Sequence, residues 1–357
     1  MKLKVLALLS GVLVVLAAAA FAVNRWMNAP EDIGRMGQTL MSGVDTAAAR
    51  RIEVISPEHK VTLDTADGSV WAVAQQHEFP VDTKKIKSLL VKLTTVKLAH
   101  KVTDNPGKLG ELGLLTEQEN GGKLEKDKTG RLVTISGPGD KPLFRLILGN
   151  DRQGGGAMAF GGTYVRYPDE KTAYLISDSV VVDLRPQDWI DTVVLDLDAD
   201  KAIQSVRMTQ PGQRTVQLTR EKAGDPFALA GLPSDQVDQD SVRRVTGQLA
   251  GLSVFGVKAG NADPAEVGRK HVGQVEFTLF DKRRFTMDVG TEKAKDDYRY
   301  LTIRAALDAA VKDDALHAAV EAFNKRFEHR LLAVYDWDGG RMLQGWDEYK
   351  KKPSKKS

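Results

Sequence analysis

Histidines, clustered aspartates and glycine-rich stretches are the parts of this sequence that could carry chemistry. The six histidines, at positions 59, 77, 100, 271, 317 and 329, are scattered, and none has the HxxxH or HExxH spacing of a zinc site. The sequence has no cysteine, which excludes disulfides, thiolate metal ligands and a cysteine nucleophile. It also lacks a GxxxxGK[ST] phosphate loop and a GxSxG nucleophile motif. We therefore predict no catalytic residue, no cofactor and no metal site.

Three alternating aspartates resemble the beginning of a calcium-binding loop. They are Asp196, Asp198 and Asp200, in the segment DLDADK. Such a loop needs glycine at its sixth position and glutamate at its twelfth, where this sequence has Lys201 and Arg207. We therefore interpret the segment as a polar turn.

A glycine-rich stretch, GGGAMAFGG at residues 154–162, is predicted to be a hairpin loop between strands. Its large apolar residues, Met158 and Phe160, could contact a partner or lipid. Tyr164 and Arg166, which follow in the next predicted strand, could supply an aromatic and a cationic group to a ligand. These four residues form the candidate contact surface.

Two passages with one pattern predict the elements that must position any such site. SVWAVAQQHEFPVDTKKIKSLLVKL starts at residue 69, and DPFALAGLPSDQVDQDSVRRVTGQL starts at residue 225. In each, an aromatic residue (Trp71 or Phe227) leads a short apolar run. An aspartate (Asp82 or Asp238) then precedes apolar residues at helical spacing, as a helix N-cap does.

Further segments recur in the same order on both sides of these passages. Alternating strand patterns match position by position: Ile52 with Val206, Val54 with Met208, Val61 with Val216, and Leu63 with Leu218. Later matches are DKPLFRLILG with DKRRFTMDVG, TYVR (163–166) with LTIR (301–304), and the stretches that end at Asp198 and Asp338. The pattern predicts an α+β fold of two tandem duplicated strand-rich units, at residues 51–200 and 201–340. Each unit is expected to have one main helix packed on an antiparallel or mixed sheet.

The first residues predict a membrane anchor. Residues 5–23 carry no charge and, as a helix, would span roughly 28 Å, about the thickness of a bilayer core. Lys2 and Lys4 favour a cytoplasmic stub at residues 1–4, and Trp26 would lie at the opposite interface. A cleaved signal peptide, processed near AAAAFA, is the alternative. We predict a transmembrane signal-anchor helix at 5–23, a tether at 24–50, and a single-pass inner-membrane protein with its body in the periplasm.

Charge is concentrated at the other end of the chain. The net charge is +3, and lysines crowd the last eight residues, so the folded body is nearly neutral. Nucleic-acid binders carry positive charge on the folded surface, which makes a nucleic-acid partner unexpected. Residues 341–357 are predicted to be a basic C-terminal tail.

The order of several motifs resembles the bacterial domain-of-unknown-function family 4340. They are Trp71, the Pro80 and Asp82 pair, ELGLL from Glu111, ILG ending at Gly149, TYVR, and LRPQDW ending at Trp189. The resemblance covers roughly residues 51–337. It implies an N-terminal anchor and a place beside gliding-type ABC transporter permeases and their auxiliary membrane proteins. The family brings no catalytic residues to transfer.

Three functions remain open at this point. The first is a membrane-anchored, extracytoplasmic, non-catalytic accessory or interaction subunit of an ABC-type transport system, with integral membrane proteins as partners. The second is a periplasmic ligand-binding module that uses the cleft between the repeats. The third is an envelope hydrolase, which would need a deep carboxylate-lined pocket at the junction of the repeats.

Overall fold

The computed structural model describes residues 34–152, 162–176 and 178–352 of the chain. Within these residues the fold is α+β, with two antiparallel sheets and few helices, which confirms the predicted class. The first sheet contains β1 (Arg51–Ile55), β2 (Lys60–Asp64), β3 (Ala72–Val73), β4 (Phe79–Pro80), β5 (Leu98–Thr103), β6 (Arg131–Ser136), β7 (Pro142–Arg152), β8 (Gly162–Arg166) and β9 (Ala173–Ile176). The second contains β10 (Ile203–Thr209), β11 (Val216–Thr219), β12 (Ala228–Leu229), β13 (Gly256–Ala259), β14 (Val272–Leu279), β15 (Arg283–Gly290), β16 (Tyr298–Leu307) and β17 (Arg330–Tyr335).

The two sheets have matching strand orders. The orders are β4-β3-β2-β1-β6-β7-β8-β9-β5 and β12-β11-β10-β14-β15-β16-β17-β13, so the first differs by one extra edge strand. The described helices are α1 (Thr83–Thr95), α2 (Ala199–Ala202), α3 (Gln239–Ala250), α4 (Asp314–Phe327) and α5 (Asp336–Met342). Helix α1 joins β4 to β5 across the first sheet, and α3 joins β12 to β13 across the second. Each of these helices therefore covers one face of its sheet, here called the inner face.

The inner faces hold the core that the repeated pattern predicts. Ile52 lies opposite Leu63 and Val206 opposite Leu218, and all four side chains are buried. Both helices begin as expected: the carboxylates of Asp82 and Asp238 accept hydrogen bonds from the backbone two residues ahead. Each helix buries one apolar stripe: Ile86, Leu89 and Leu93 in α1, and Val242, Val245 and Leu249 in α3. Trp71 and Phe227 are also buried.

The last match between the repeats is wrong, and so is the beginning of the predicted tail. In the first unit, the backbone carbonyl of Trp189 accepts a hydrogen bond from the backbone N–H of Asp82. In the second unit, the backbone carbonyl of Tyr349 accepts one from the backbone N–H of Asp238. We call residues 185–190 and 345–350 the closing segments. They correspond to each other, whereas the sequence matched 184–198 with 324–338. Residues 341–350, predicted to be tail, belong to the second unit because Trp346 and Tyr349 are buried.

The match of TYVR with LTIR is wrong by two residues. Val165 lies opposite Leu148 in the first sheet, and Leu301 lies opposite Val289 in the second. The segment that corresponds to TYVR is therefore RYLT, residues 299–302. A slip of two residues leaves every side chain on the same face of a strand, so alternation of polar and apolar residues could not reveal it.

Part of the predicted tether is folded. Leu40 and Met41 are almost fully buried, and their backbone N–H groups donate to Val96 and Leu93. Residues 37–41 thus line the C-terminal end of α1. The predicted stub at 1–4 and membrane helix at 5–23 lie outside the described residues. Across the part of the chain that the structure describes, no helix combines the length and the apolar character needed to cross a bilayer.

The two units share one continuous core. Their backbones pair along a seam, where Val194 donates to Leu252 and Val254 donates to Thr192. On the same seam, the rings of Phe79 and Phe327 lie 6.0 Å apart. The units therefore pack as one body.

Candidate functional site

A cavity with a volume of about 1090 Å³ lies within the second unit. It opens where β16 and β17 separate. β17 pairs with β16 only as far as Leu301, while β16 continues to Leu307. The C-terminal half of α4 fills the gap: the Asn324 side chain accepts a hydrogen bond from the backbone N–H of Ala305 at 2.8 Å and donates one to its carbonyl at 2.9 Å. A side-chain amide thus replaces a strand partner and holds this fork open.

The floor of the cavity is the outer face of the second sheet, opposite the core. Strand alternation places polar side chains there because their neighbours in sequence point inward. Gln274, Asp288 and Thr302 lie side by side on β14, β15 and β16, and Thr286 lies opposite Arg304. Gln274 donates to the Asp288 carboxylate at 3.1 Å.

One wall is the loop that carries Arg269. Gly268 gives this loop its shape: its φ is +65°, and a Cβ there would lie 2.2 Å from the carbonyl oxygen of Glu292. Arg269 donates through one Nη to the backbone carbonyl of Asp288 at 2.8 Å. Burial lowers the pKa of the Arg269 guanidinium, and the nearby Asp288 charge opposes this shift.

The opposite wall comes from residues 328–330, at the beginning of β17. The Arg330 guanidinium donates to the carbonyls of His77, Glu78 and Arg326, so it connects the cavity wall to the first unit. His77 and Glu78 both have positive φ, an unusual conformation for residues other than glycine. Burial also lowers the pKa of Arg330, with opposing effects from Glu328 and Glu78.

The predicted contact residues lie in the other unit. Met158 and Phe160 fall outside the described residues. Tyr164 is half-buried, and Arg166 is 2% exposed, on the outer face of the first sheet. The Arg166 guanidinium donates to the carbonyls of Leu114 and Glu170 and forms an ion pair with Glu119. Arg166 is thus a buried structural residue, and neither it nor Tyr164 lines the large cavity.

Arg166 fixes a segment that covers the outer face of the first sheet, residues 105–130, here called the cover loop. Leu109 and Leu114 of the cover loop are buried against Ile147 and Ala173 in a small separate core. The space that is open in the second unit is therefore filled in the first.

A second surface feature is a group of four aromatic rings in the second unit, here called the aromatic surface: Phe255, Tyr298, Tyr335 and Trp337. The Trp337 ring stacks on Tyr335, with centroids 4.3 Å apart and planes 10° from parallel, and Tyr335 contacts the other two rings. Trp337 is 61% exposed.

Within residues 34–152, 162–176 and 178–352, no three His, Asp or Glu side chains converge as metal ligands. Asp198, of the possible calcium motif, caps α2 by accepting a hydrogen bond from the Asp200 backbone.

Sequence reasoning missed the arginines of the cavity. Alternation of polar and apolar residues in β14, β15 and β16 is the signal that could have indicated an outward polar row containing Gln274, Asp288 and Arg304. It could not indicate whether that face was covered by another segment or open.

The family model for the domain of unknown function DUF4340 matches residues 71–272. No curated protein and no solved structure matches the chain significantly. Since the family match covers more than half of the sequence, the chain belongs to the DUF4340 family.

Proposed function

We propose that this DUF4340 protein is a membrane-anchored, extracytoplasmic accessory subunit of an ABC-type transport system, and that it acts by contacting membrane partners rather than by catalysis. The observation that carries the proposal is the aromatic surface. A tryptophan that is 61% exposed and stacked on Tyr335 presents a large rigid apolar area to solvent. Tryptophan and tyrosine are the residue types that contribute most to binding in protein interfaces.

The surroundings of the aromatic surface also fit a protein partner. Arg341 lies close to Asp338 and to the Gln248 side chain, so polar groups border the rings. A ring cluster with a polar rim is the usual anatomy of an interface. The shared core of the two units gives the surface a rigid support.

The location is proposed from the sequence. The uncharged run at residues 5–23 would anchor the chain in the inner membrane, with the body in the periplasm. Such an anchor would hold the aromatic surface within reach of the extracytoplasmic loops of a permease. Duplication of one α+β unit would provide the extended body.

The test is an affinity pull-down of the full-length protein from detergent-solubilised native membranes, with quantification by mass spectrometry. We expect an ABC permease or ATPase to be enriched with the wild type and lost with Trp337→Ala. Val181→Ala is the matched control, because Val181 is 78% exposed and lies outside the aromatic surface. If no transporter subunit is enriched over a control bait, the proposal fails; equal recovery with Trp337→Ala would exclude the aromatic surface as the contact.

A further inference from the structure

We propose that the cavity of the second unit binds a small organic anion that carries carboxylate or phosphate groups together with hydroxyl or amino groups. The proposal concerns a different surface from the aromatic one and stands independently of the transport function. It rests on three arginines, Arg269, Arg304 and Arg330, whose side chains line one cavity.

Among the described residues, none of these three guanidinium groups forms an ion pair with a carboxylate, although Asp288 lies near Arg269 and Glu328 near Arg330. The described part of the chain contains many arginine–carboxylate ion pairs, such as Arg299 with Asp336 and Arg326 with Asp191. Arg269 and Arg330 are half-buried, and their guanidinium groups donate to backbone carbonyls. Arg304 is exposed, and its guanidinium has no hydrogen-bond partner among the described residues. A bound anion would supply the missing negative charge, and arginine suits carboxylate and phosphate because its planar fork can donate two parallel hydrogen bonds.

The remaining lining defines the rest of the ligand. Asp288 and Glu328 place two carboxylates beside the three arginines, so a purely anionic ligand would meet repulsion at these points. Hydroxyl or amino groups on the ligand would donate to the two carboxylates. Thr286 and Thr302 add short polar side chains on the floor. Small-molecule sites range from about 300 to 1,000 Å³, and a cavity of about 1090 Å³ is slightly larger than the upper end of that range.

A bound ligand would also affect the contact between the two units. Arg330 donates hydrogen bonds to the backbone of the first unit at His77 and Glu78, and it is also one of the residues that line the cavity. A ligand that contacts Arg330 would therefore reinforce the junction, so binding should raise the thermal unfolding temperature.

The test uses isothermal titration calorimetry and thermal unfolding of the full-length protein in detergent micelles. The probes are citrate, as a hydroxylated carboxylate, and glucose 6-phosphate, with glucose as its neutral counterpart. We expect saturable binding of one or both anions with Kd between about 1 µM and 1 mM, and none of glucose. Binding of one anion alone would support the proposal and identify the preferred acid group.

The variants locate the site. Arg304→Gln is expected to weaken binding by about tenfold or more, the usual effect of removing one charged hydrogen-bond donor. Arg284→Gln is the matched control, since Arg284 lies on β15, on the same outer face of the sheet as Arg304, but does not line the cavity. This variant should bind the anions with the affinity of the wild type. Circular dichroism verifies that both variants are folded. The proposal is overturned if neither anion binds, if glucose binds as well as its phosphate, or if Arg304→Gln and Arg284→Gln bind alike.

Discussion

The outer faces of the two sheets differ although the strands beneath them are arranged alike. In the first unit the cover loop packs on that face and the buried Arg166 holds the loop in place. In the second unit the corresponding face is polar and open, and α4 holds β16 and β17 apart at its edge. Both differences arise in connections: a long one between β5 and β6 in the first unit, and a helical one between β16 and β17 in the second. The two units thus share one arrangement of strands, while the connections between strands decide which outer face is covered and which is open.

The largest expected effect tests what the units share, namely their closing segments. Trp189 and Tyr349 are both buried, and each accepts the backbone hydrogen bond from the N-cap residue of the main helix. Trp189→Ala and Tyr349→Ala should each lower the free energy of unfolding by about 3–5 kcal/mol, because a large core side chain is removed. Urea denaturation followed by circular dichroism measures this. Trp337→Ala, at an exposed tryptophan, is the control and should change stability by less than about 1 kcal/mol. A small effect at Tyr349 alone would mean that the second closing segment is dispensable.

The next effect tests the difference between the outer faces. Arg166→Met should destabilise the protein by about 2–4 kcal/mol, since it leaves the carbonyls of Leu114 and Glu170 without this donor and Glu119 without its arginine partner. Arg304→Met, in the open face, should change stability by about 0.5 kcal/mol or less. Denaturant unfolding gives both values, and hydrogen exchange should show faster exchange at residues 109–115 in Arg166→Met only. Equal costs for the two substitutions would contradict the contrast between a covered and an open face.

A smaller effect tests the contact by which α4 holds β16 and β17 apart. Asn324→Ala removes both hydrogen bonds to Ala305 and should cost about 1–3 kcal/mol. Asn261→Ala, at an exposed asparagine that also lines the cavity, should be neutral within about 0.5 kcal/mol. Thermal unfolding compares the two variants. If Asn324→Ala is as stable as Asn261→Ala, the side-chain amide does not substitute for a strand.

The smallest effect concerns pH and the cap of α3. Hydrogen bonds from the Ser241 side chain and from backbone N–H groups lower the pKa of Asp238 below its ordinary value of 3.8. A lowered carboxyl pKa means that the folded state favours the ionised form, so this stabilisation is complete above the ordinary value and is lost as the pH falls through the folded value. Asp238→Asn should keep the cap at neutral pH but lose less stability than the wild type between pH 5 and pH 3, by about 1 kcal/mol or less. Urea midpoints across this pH range measure the difference; parallel curves for the two proteins would show that Asp238 does not contribute to the pH dependence.

Many of the strands and both main helices could be predicted because they follow from local sequence patterns. Alternation gave the strands around Ile52 and Val206, and helical spacing after Asp82 and Asp238 gave α1 and α3. The family resemblance, based on the order of short motifs, is also confirmed. The anchor, the periplasmic location and the transport partner remain predictions.

The errors have a common physical cause. Lysines at positions 350–352 made the C-terminus look like a solvated tail, although Trp346 and Tyr349 are core residues a few positions earlier. Arg166 looked like a surface contact because arginine is mostly exposed in proteins; its burial depends on a partner 52 residues away, the backbone carbonyl of Leu114. The residue types in a short stretch of sequence carry no information about partners that lie so far away along the chain.

The sequence by itself determined the α+β class, the repeated strands and the capped helices, because hydrogen-bonding pattern and side-chain direction in these elements depend on near neighbours. Tertiary structure alone decided which outer face is covered and which is open. It also brought Arg269, Arg304 and Arg330, from three separate segments, around one cavity. Their proximity depends on strand pairing and loop packing over long distances in sequence, and no local pattern encodes these.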